Sequence, residues 1–340
     1  MIVPRSELTI DLGALRRNVR RLRRVVEGSA LWAVVKADGY GHGALDVARV
    51  ALAEGAEALC VATVEEALPL RAAFADARIL VMGPAQDLPA AREARLELAV
   101  GAGPIPEGIP VHLKLDTGMG RWGFSELPSP TRDVVAVMTH LASADCDPGF
   151  TSVQIDRFRA ATDALGLERH AANSAGALRF PEGRFDAVRA GVALYGLSPF
   201  GGDPGEDGLE PVLSWRSQLA QVKLLRPGES TGYGRRFVAE RETWIGIVPV
   251  GYADGFRRDL TGTEVLVDGG RQRVVGTVSM DAVAVELPHE LPVGTRVALV
   301  GDGLLLEEHA RVAATINYEL ACGIGNAAGH TRSVRRVVDA

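Results

Sequence analysis

Lys36 closes the apolar run LWAVV and opens KADGYGHG (31–43), and Lys114 sits in VHLKLDTG (111–118); with Lys223 they are the only lysines among 37 lysines plus arginines. In a chain that supplies nearly all its surface cations as arginine, a lysine at a strand end has two readings. It snorkels its ammonium to water, or it is kept for what a guanidinium cannot do: lose its proton when desolvated and attack a carbonyl as a free amine. The neighbours favour chemistry. Tyr40 follows in a loop that turns into a helix at residues 41–43, so a phenol and glycine-exposed amides stand ready to donate to an anion. Further on, Arg189 precedes Gly191 and Val192, whose backbone N–H groups can approach a phosphate because Gly191 has no side chain, and Ser174 and Tyr195 add hydroxyls. Singly, each hydroxyl reads as a local cap or turn bond; jointly they read as a phosphate cradle beside a reactive amine, the combination a pyridoxal phosphate site needs.

These residues need elements to place them. Between 31 and 196, short apolar runs recur at the spacing of parallel strands: 31–37, 57–63, 78–84, 96–100, 111–118, 134–141, 169–174 and 188–196. Helical patterns at 43–54, 63–74 and 152–165 separate several of them, so the repeating unit is a strand followed by a helix. Eight such units close into a TIM-type (β/α)8 barrel, whose chemistry lies at the C-terminal ends of its strands. Lys36, Arg121 just after Asp116, His140, Asn173 with Ser174, and Tyr195 all fall there. Two crossovers are thin: 101–110 holds three prolines and 122–131 two more, which leaves no room for a covering helix. Beyond the glycine-rich loop at 198–208 the runs become β-branched and alternating, and helical spacing is nearly absent until 308–320. The α/β barrel, residues 1–215 with the first few free to pair elsewhere, is therefore followed by a mainly β domain, 216–340, carrying one short helix.

Composition narrows the function classes. A net charge of -6 argues against nucleic acid, and the arginine-rich stretch 16–24 reads as the solvated face of a helix. Three cysteines, Cys60, Cys146 and Cys322, are odd in number and lack metal-ligand spacing, which fits a reducing cytoplasm and no metal. No run approaches signal-peptide or membrane-spanning character.

The motif series VVKADGYGHG, LKLDTGMGRWGF, MTHLASAD, HAANSAG, VRAGVALYGLSP, TGYGRRF, VPVGYADG, TVSMD and TINYEL resembles that of the alanine racemases, in the family's order, over about residues 7–324. The resemblance implies a barrel followed by a β domain, pyridoxal 5'-phosphate as cofactor, an amino acid as substrate, and a homodimer whose active sites are each completed by the partner's β domain. Lys36 resembles the lysine that carries the cofactor and acts as one base, and Tyr233 looks like the opposing base from the other subunit. Arg121 matches the arginine that helps hold the substrate carboxylate, and Met280, with Asp281 beside it, matches the partner-chain residue whose backbone N–H binds that carboxylate. Lys114 matches a lysine often carboxylated in the family. Tyr40, Ser174, Gly191, Val192 and Tyr195 match phosphate ligands; His140, His170 and Asn173 match residues supporting the cofactor, and Tyr252 falls at the substrate channel. Arg189 matches the arginine facing the pyridine nitrogen. A permanent cation there disfavours protonation of that nitrogen and weakens the ring as an electron sink, which suits two-base racemisation and counts against the barrel-plus-β decarboxylases.

One position departs from the pattern. The family usually places a tyrosine where this chain has Asn326. A shorter carboxamide would admit and bond a hydroxymethyl side chain, making serine a second substrate; alternatively the loop 322–330 takes another path. The expected activity is thus racemisation of alanine, supplying D-alanine for peptidoglycan, with a serine or broader-specificity racemase as the neighbouring reading. A non-enzymatic pyridoxal phosphate carrier is the reading from another class; such carriers lack the second domain that this sequence encodes.

Overall fold

The computed structural model describes residues 5–326 and 332–337, and the chain forms two compact units, Leu15–Glu210 and Met1–Ala14 with Pro211–Ala340. The second unit takes its first strand, β1 (Ser6–Asp11), from the N-terminus, which pairs antiparallel with Leu213–Gln218 and parallel with Arg332–Val337. The strand alternates buried Leu8 and Ile10 with half-buried Glu7 and Thr9, the period of two that an edge-to-core strand requires.

The first unit is a closed parallel barrel of β2 (Ala30–Val34), β3 (Ala58–Val61), β4 (Arg78–Val81), β5 (Glu97–Val100), β6 (Val111–Lys114), β7 (Val134–Met138), β8 (Glu168–His170) and β9 (Ala187–Ala190), the last pairing back onto β2. All eight expected runs supply a strand, each shorter than its run. In every run but 96–100, whose strand extends to its last residue, the C-terminal residues have left the ladder at the mouth end of the barrel. Helices Ala44–Ala53, Val64–Ala73, Leu88–Glu93, Pro148–Thr162 and Ser174–Arg179 cover the barrel, while no helix follows β5 or β6 among the described residues, where the prolines forbid one. Leu12–Val25 packs Leu15, Val19 and Leu22 fully buried at helical spacing, a stripe contributing roughly 1.5–3 kcal/mol per side chain. Its arginines lie on the other face, where Arg16 and Arg20 donate to Glu54 at 3.1 and 2.6 Å. No described helix is long and apolar enough to cross a membrane.

The second unit is a nine-stranded sheet that ends in Gln221–Leu225 on one edge and Arg332–Val337 on the other. Exposed Lys223, on that first edge strand, puts a charge where an unpaired ladder would otherwise invite another chain. The single short helix expected at 308–320 is two helices, Leu306–Val312 and Asn317–Asn326. Ala314 takes the left-handed conformation at φ 50°, and the Thr315 N–H returns to Ala310 O, a helix stop without a glycine to announce it. Asn317 then donates to Glu307 Oε1 at 2.8 Å, fixing where the next helix starts.

Candidate active site

Lys36 leaves β2 into a backbone turn of unusual hand. Ala37, Asp38, Gly39 and Tyr40 all have φ between 50° and 64°, three of them with a Cβ to crowd the carbonyl. Left-handed residues of this kind cost about 1–2 kcal/mol each, so other bonds must hold the turn. Gly39 N–H donates to Val35 O at 2.8 Å and Gly43 N–H to Asp38 O at 2.8 Å. Asp38 Oδ1 accepts from Ala44 N at 2.8 Å, and Glu66 takes Ala37 N at 2.8 Å on one oxygen and Ala62 N at 2.7 Å on the other. His42 Nδ1 lies 3.1 and 3.0 Å from the carbonyls of Gly39 and Tyr40, so it donates to both. Burial pushes His42 down to about 4, which keeps the ring neutral.

That turn delivers Tyr40 to the end of β9. A Cβ on Gly191 would stand 2.6 Å from the Tyr40 hydroxyl, so only glycine lets phenol and backbone come so close. Ser174 Oγ accepts from Gly191 N at 3.0 Å and Ala193 N at 3.3 Å, with Val192 between them in the turn. Tyr195 is fully buried and gives its hydroxyl proton to Val34 O at 2.8 Å; its ring supports Tyr40 at 4.9 Å and His42 at 4.6 Å. Tyr195 thus braces Tyr40 from behind through its ring. Asn173 caps the helix Ser174–Arg179, accepting from Gly176 N at 3.0 Å.

Arg189, 2% exposed, is the best-anchored charge in the mouth. Nη1 donates to His170 Nδ1 at 2.6 Å and His170 O at 3.0 Å; Nη2 donates to Thr139 O at 2.7 Å, Ala171 O at 3.0 Å and His140 Nδ1 at 3.3 Å. Every one of these acceptors is neutral. Burial pulls Arg189 down to about 10, so it stays charged at neutral pH. Burial, and then Arg189, hold His140 and His170 well below the usual histidine range. Lys114 is brought down to about 8, first by burial, then by the charges of Arg189 and Arg121. Its ammonium and the Arg121 guanidinium lie 5.4 and 5.1 Å from the ring of Trp122. Asp116 folds the intervening loop by accepting from the amides of Gly118, Met119 and Gly120 at 2.8–3.1 Å. A cavity of about 470 Å³ opens beside them, walled by Met82, Leu98, Val100 and Trp122.

Tyr233, Tyr252, Met280 and Asp281 belong to the second unit and are all exposed. Tyr233 is 73% and Met280 57% accessible, far more than aromatic and thioether side chains in a core. Their backbones are held: Thr277 Oγ1 donates to Tyr233 O at 2.9 Å, while Tyr252 N and Ala253 N donate to Ser279 O and Met280 O. A Cβ on Gly251 would meet Ser279 O at 2.3 Å, so that glycine is what lets the two loops touch. Asn326 ends its helix, and its side chain lies outside the described residues.

The alanine racemase N-terminal domain model matches residues 10–199 and the C-terminal domain model residues 212–331. The chain belongs to the alanine racemase family. It is 41% identical to the alanine racemase of Lactiplantibacillus plantarum, over 94% of this chain and 95% of that one. The fold matches the biosynthetic alanine racemase of Pseudomonas aeruginosa with a TM-score of 0.90 at 35% identity, covering all of both chains. It also matches the alanine racemase of Bartonella henselae, solved with covalently bound pyridoxal phosphate, with a TM-score of 0.89 at 25% identity over 99% of this chain and all of that one.

Sequence reasoning missed several residues that shape the barrel mouth here. Glu66 stands three residues after Thr63, the spacing of a helix capping box, yet its carboxylate serves Ala37 and Ala62. Trp122 carried no signal beyond its type. His112 and Glu97 sit in strands and read as ordinary alternation.

Proposed function

We propose that this chain interconverts L- and D-alanine, with pyridoxal phosphate in the barrel mouth and a second copy of the chain completing each site. The observation that carries the reading is the acceptor set of Arg189: five contacts, all to neutral carbonyl or imidazole atoms, leave a fixed cation where a carboxylate would favour other outcomes. The residues suit the group. Arg189, Arg121, Lys114 and Lys36 make the mouth cationic, Gly191 keeps its turn open, and Ser174, Tyr40 and the Val192 amide would hold the phosphate.

When bound, pyridoxal phosphate supplies a conjugated ring that withdraws electrons from the Cα–H bond of an attached amino acid. The chain's own residues do the rest. Lys36 would hold the group through its amine and, as a free amine, would hold a proton on one face of Cα. Tyr233 of a second copy holds a proton on the other face. Arg121, whose guanidinium lies 5.1 Å from the Trp122 ring, and the Met280 N–H of a second copy would orient the substrate carboxylate so that Cα lies between the two bases. Arg189, which can donate but never accept, would disfavour a proton on a ring nitrogen held beside it. Removal of the proton by one base and return by the other inverts the centre. Such an enzyme supplies D-alanine for peptidoglycan from a cytoplasmic pool. Serine as a second substrate rests on Asn326.

The test is a purified sample with added pyridoxal phosphate, given L-alanine or D-alanine in separate runs, with serine in parallel. Both alanine runs should converge on equal amounts of the two enantiomers without release of carbon dioxide. A sample that binds the cofactor and leaves both enantiomers unchanged is a carrier, and one that evolves carbon dioxide is a decarboxylase; either result sinks the reading.

A further inference from the structure

A line of titratable groups runs through the barrel where aliphatic layers usually fill the core. Arg189 donates from Nη1 to His170 Nδ1 at 2.6 Å; His170 Nε2 lies 2.7 Å from His112 Nδ1; His112 Nε2 lies 2.8 Å from Glu97 Oε2. Both imidazoles are fully buried. Arg78, opening β4, closes the line by donating from Nε to Glu97 at 2.8 Å and from Nη2 to Glu168 at 2.6 Å. Glu97 opens β5 and Glu168 opens β8, so the line reaches from the N-terminal floor of the barrel to the mouth. Trp32 flanks it, with His170 at 4.5 Å and the Arg78 guanidinium at 4.5 Å.

The direction of each bond follows from chemistry. Arginine only donates, so His170 Nδ1 accepts and its proton sits on Nε2. That proton is given to His112 Nδ1, which places the His112 proton on Nε2, facing Glu97. Glu97 holds the order from the end opposite Arg189: without it the His112 Nε2–H is buried with no acceptor, and moving that proton to Nδ1 forces the His170 proton onto its own Nδ1, at the cost of the Arg189 bond. We propose that Glu97 is a positioning residue for racemisation, setting the tautomers of His112 and His170 and through them the orientation of Arg189 at the mouth.

Other charges facing the line agree with this polarity. Burial raises Glu97, but the bonds from His112 and Arg78 outweigh it and hold the carboxyl below its usual range. Burial lowers His112, with the Glu97 bond opposing, and the ring stays neutral. Glu168 bonds Arg78 but reaches neither imidazole, so the floor's ion pairing and the relay can be separated by mutation.

The proposal rests on the racemase reading for its effect on rate, whereas the tautomers do not. Protein labelled with nitrogen-15 in histidine should show His112 and His170 both protonated on Nε2 with bare Nδ1, unchanged across about pH 6 to 8. Glu97→Leu should shift His170 toward a protonated Nδ1, alter the absorption of the bound cofactor, and lower kcat by about tenfold or more with KM little changed, as loss of one bond to a charged group implies. Glu97→Gln, whose amide oxygen can still accept from His112, should restore the wild-type signals. Glu168→Gln should leave them untouched. The inference is overturned if Glu97→Leu keeps wild-type tautomers and absorption, or if Glu168→Gln shifts them equally. Should Glu97→Leu not fold, a protonated Nδ1 on either imidazole of the wild type overturns it alone. Wild-type protein with the expected tautomers and no racemisation would instead count against the racemase reading.

Discussion

Lys36 and Lys114 are two lysines at strand ends of the barrel, and separate experiments test the task proposed for each. Lys36→Ala should abolish the visible absorption of a lysine-bound pyridoxal group, and borohydride should no longer fix the cofactor to the chain; a band surviving on Lys114 or Lys223 would reassign the amine. Lys114, held near 8 by burial and by Arg189 and Arg121, has a free-amine fraction at neutral pH. As a free amine it can form an N–C bond to carbon dioxide and release a proton, becoming an anion between two arginines. Native mass spectrometry in bicarbonate at about pH 8 should show one added carbon dioxide in wild type and none in Lys114→Met. An unmodified wild type would leave Lys114 a cation. Among individual residues, the placement of Lys36 at the end of β2 and of Arg189 and Gly191 at the end of β9 was legible in the sequence. The bond from the Tyr195 hydroxyl to Val34 O was not legible, because only tertiary packing decides which acceptor a buried phenol finds.

Elements were legible where hydrophobic pattern alone specifies them. The eight runs became eight strands and the prolines of 101–110 did exclude a helix, since both rest on local sterics. The left-handed turn at 37–40 was not legible, because Ala37 and Asp38 prefer ordinary conformations and are overruled by bonds from Asp38, His42 and distant Glu66. Glu66→Gln tests this. One amide oxygen cannot serve both Ala37 N and Ala62 N, and the NH2 group faces a donor, so stability should fall by about 1–3 kcal/mol. If the turn positions Lys36, kcat should fall as well. Lost stability with an unchanged kcat would make Glu66 a fold residue only.

At the scale of the whole molecule, the buried histidines set an acid limit. His42 is depressed from 6.5 to about 4, and His112, His140, His170 and His309 are also lowered, chiefly by burial. Between the unfolded and folded values the unfolded chain takes up protons that the folded chain refuses, so stability is present above about 6.5 and declines as pH falls toward 4. His42 alone accounts for roughly 2–4 kcal/mol of this. The urea midpoint should drop clearly between about pH 7 and pH 4.5, and a flat profile would mean these rings are solvated in solution. The exposed Tyr233, Tyr252 and Met280 raise the remaining question of what meets them, which a sequence of one chain could suggest only through family resemblance. Mixing chains answers it. Lys36→Ala and Tyr233→Phe proteins, each nearly inactive on alanine, should regain about a quarter of wild-type activity after subunits exchange at random, because half the dimers are mixed and each has one intact site. No recovery, with exchange demonstrated by mass, would place both bases on a single chain and contradict the shared site.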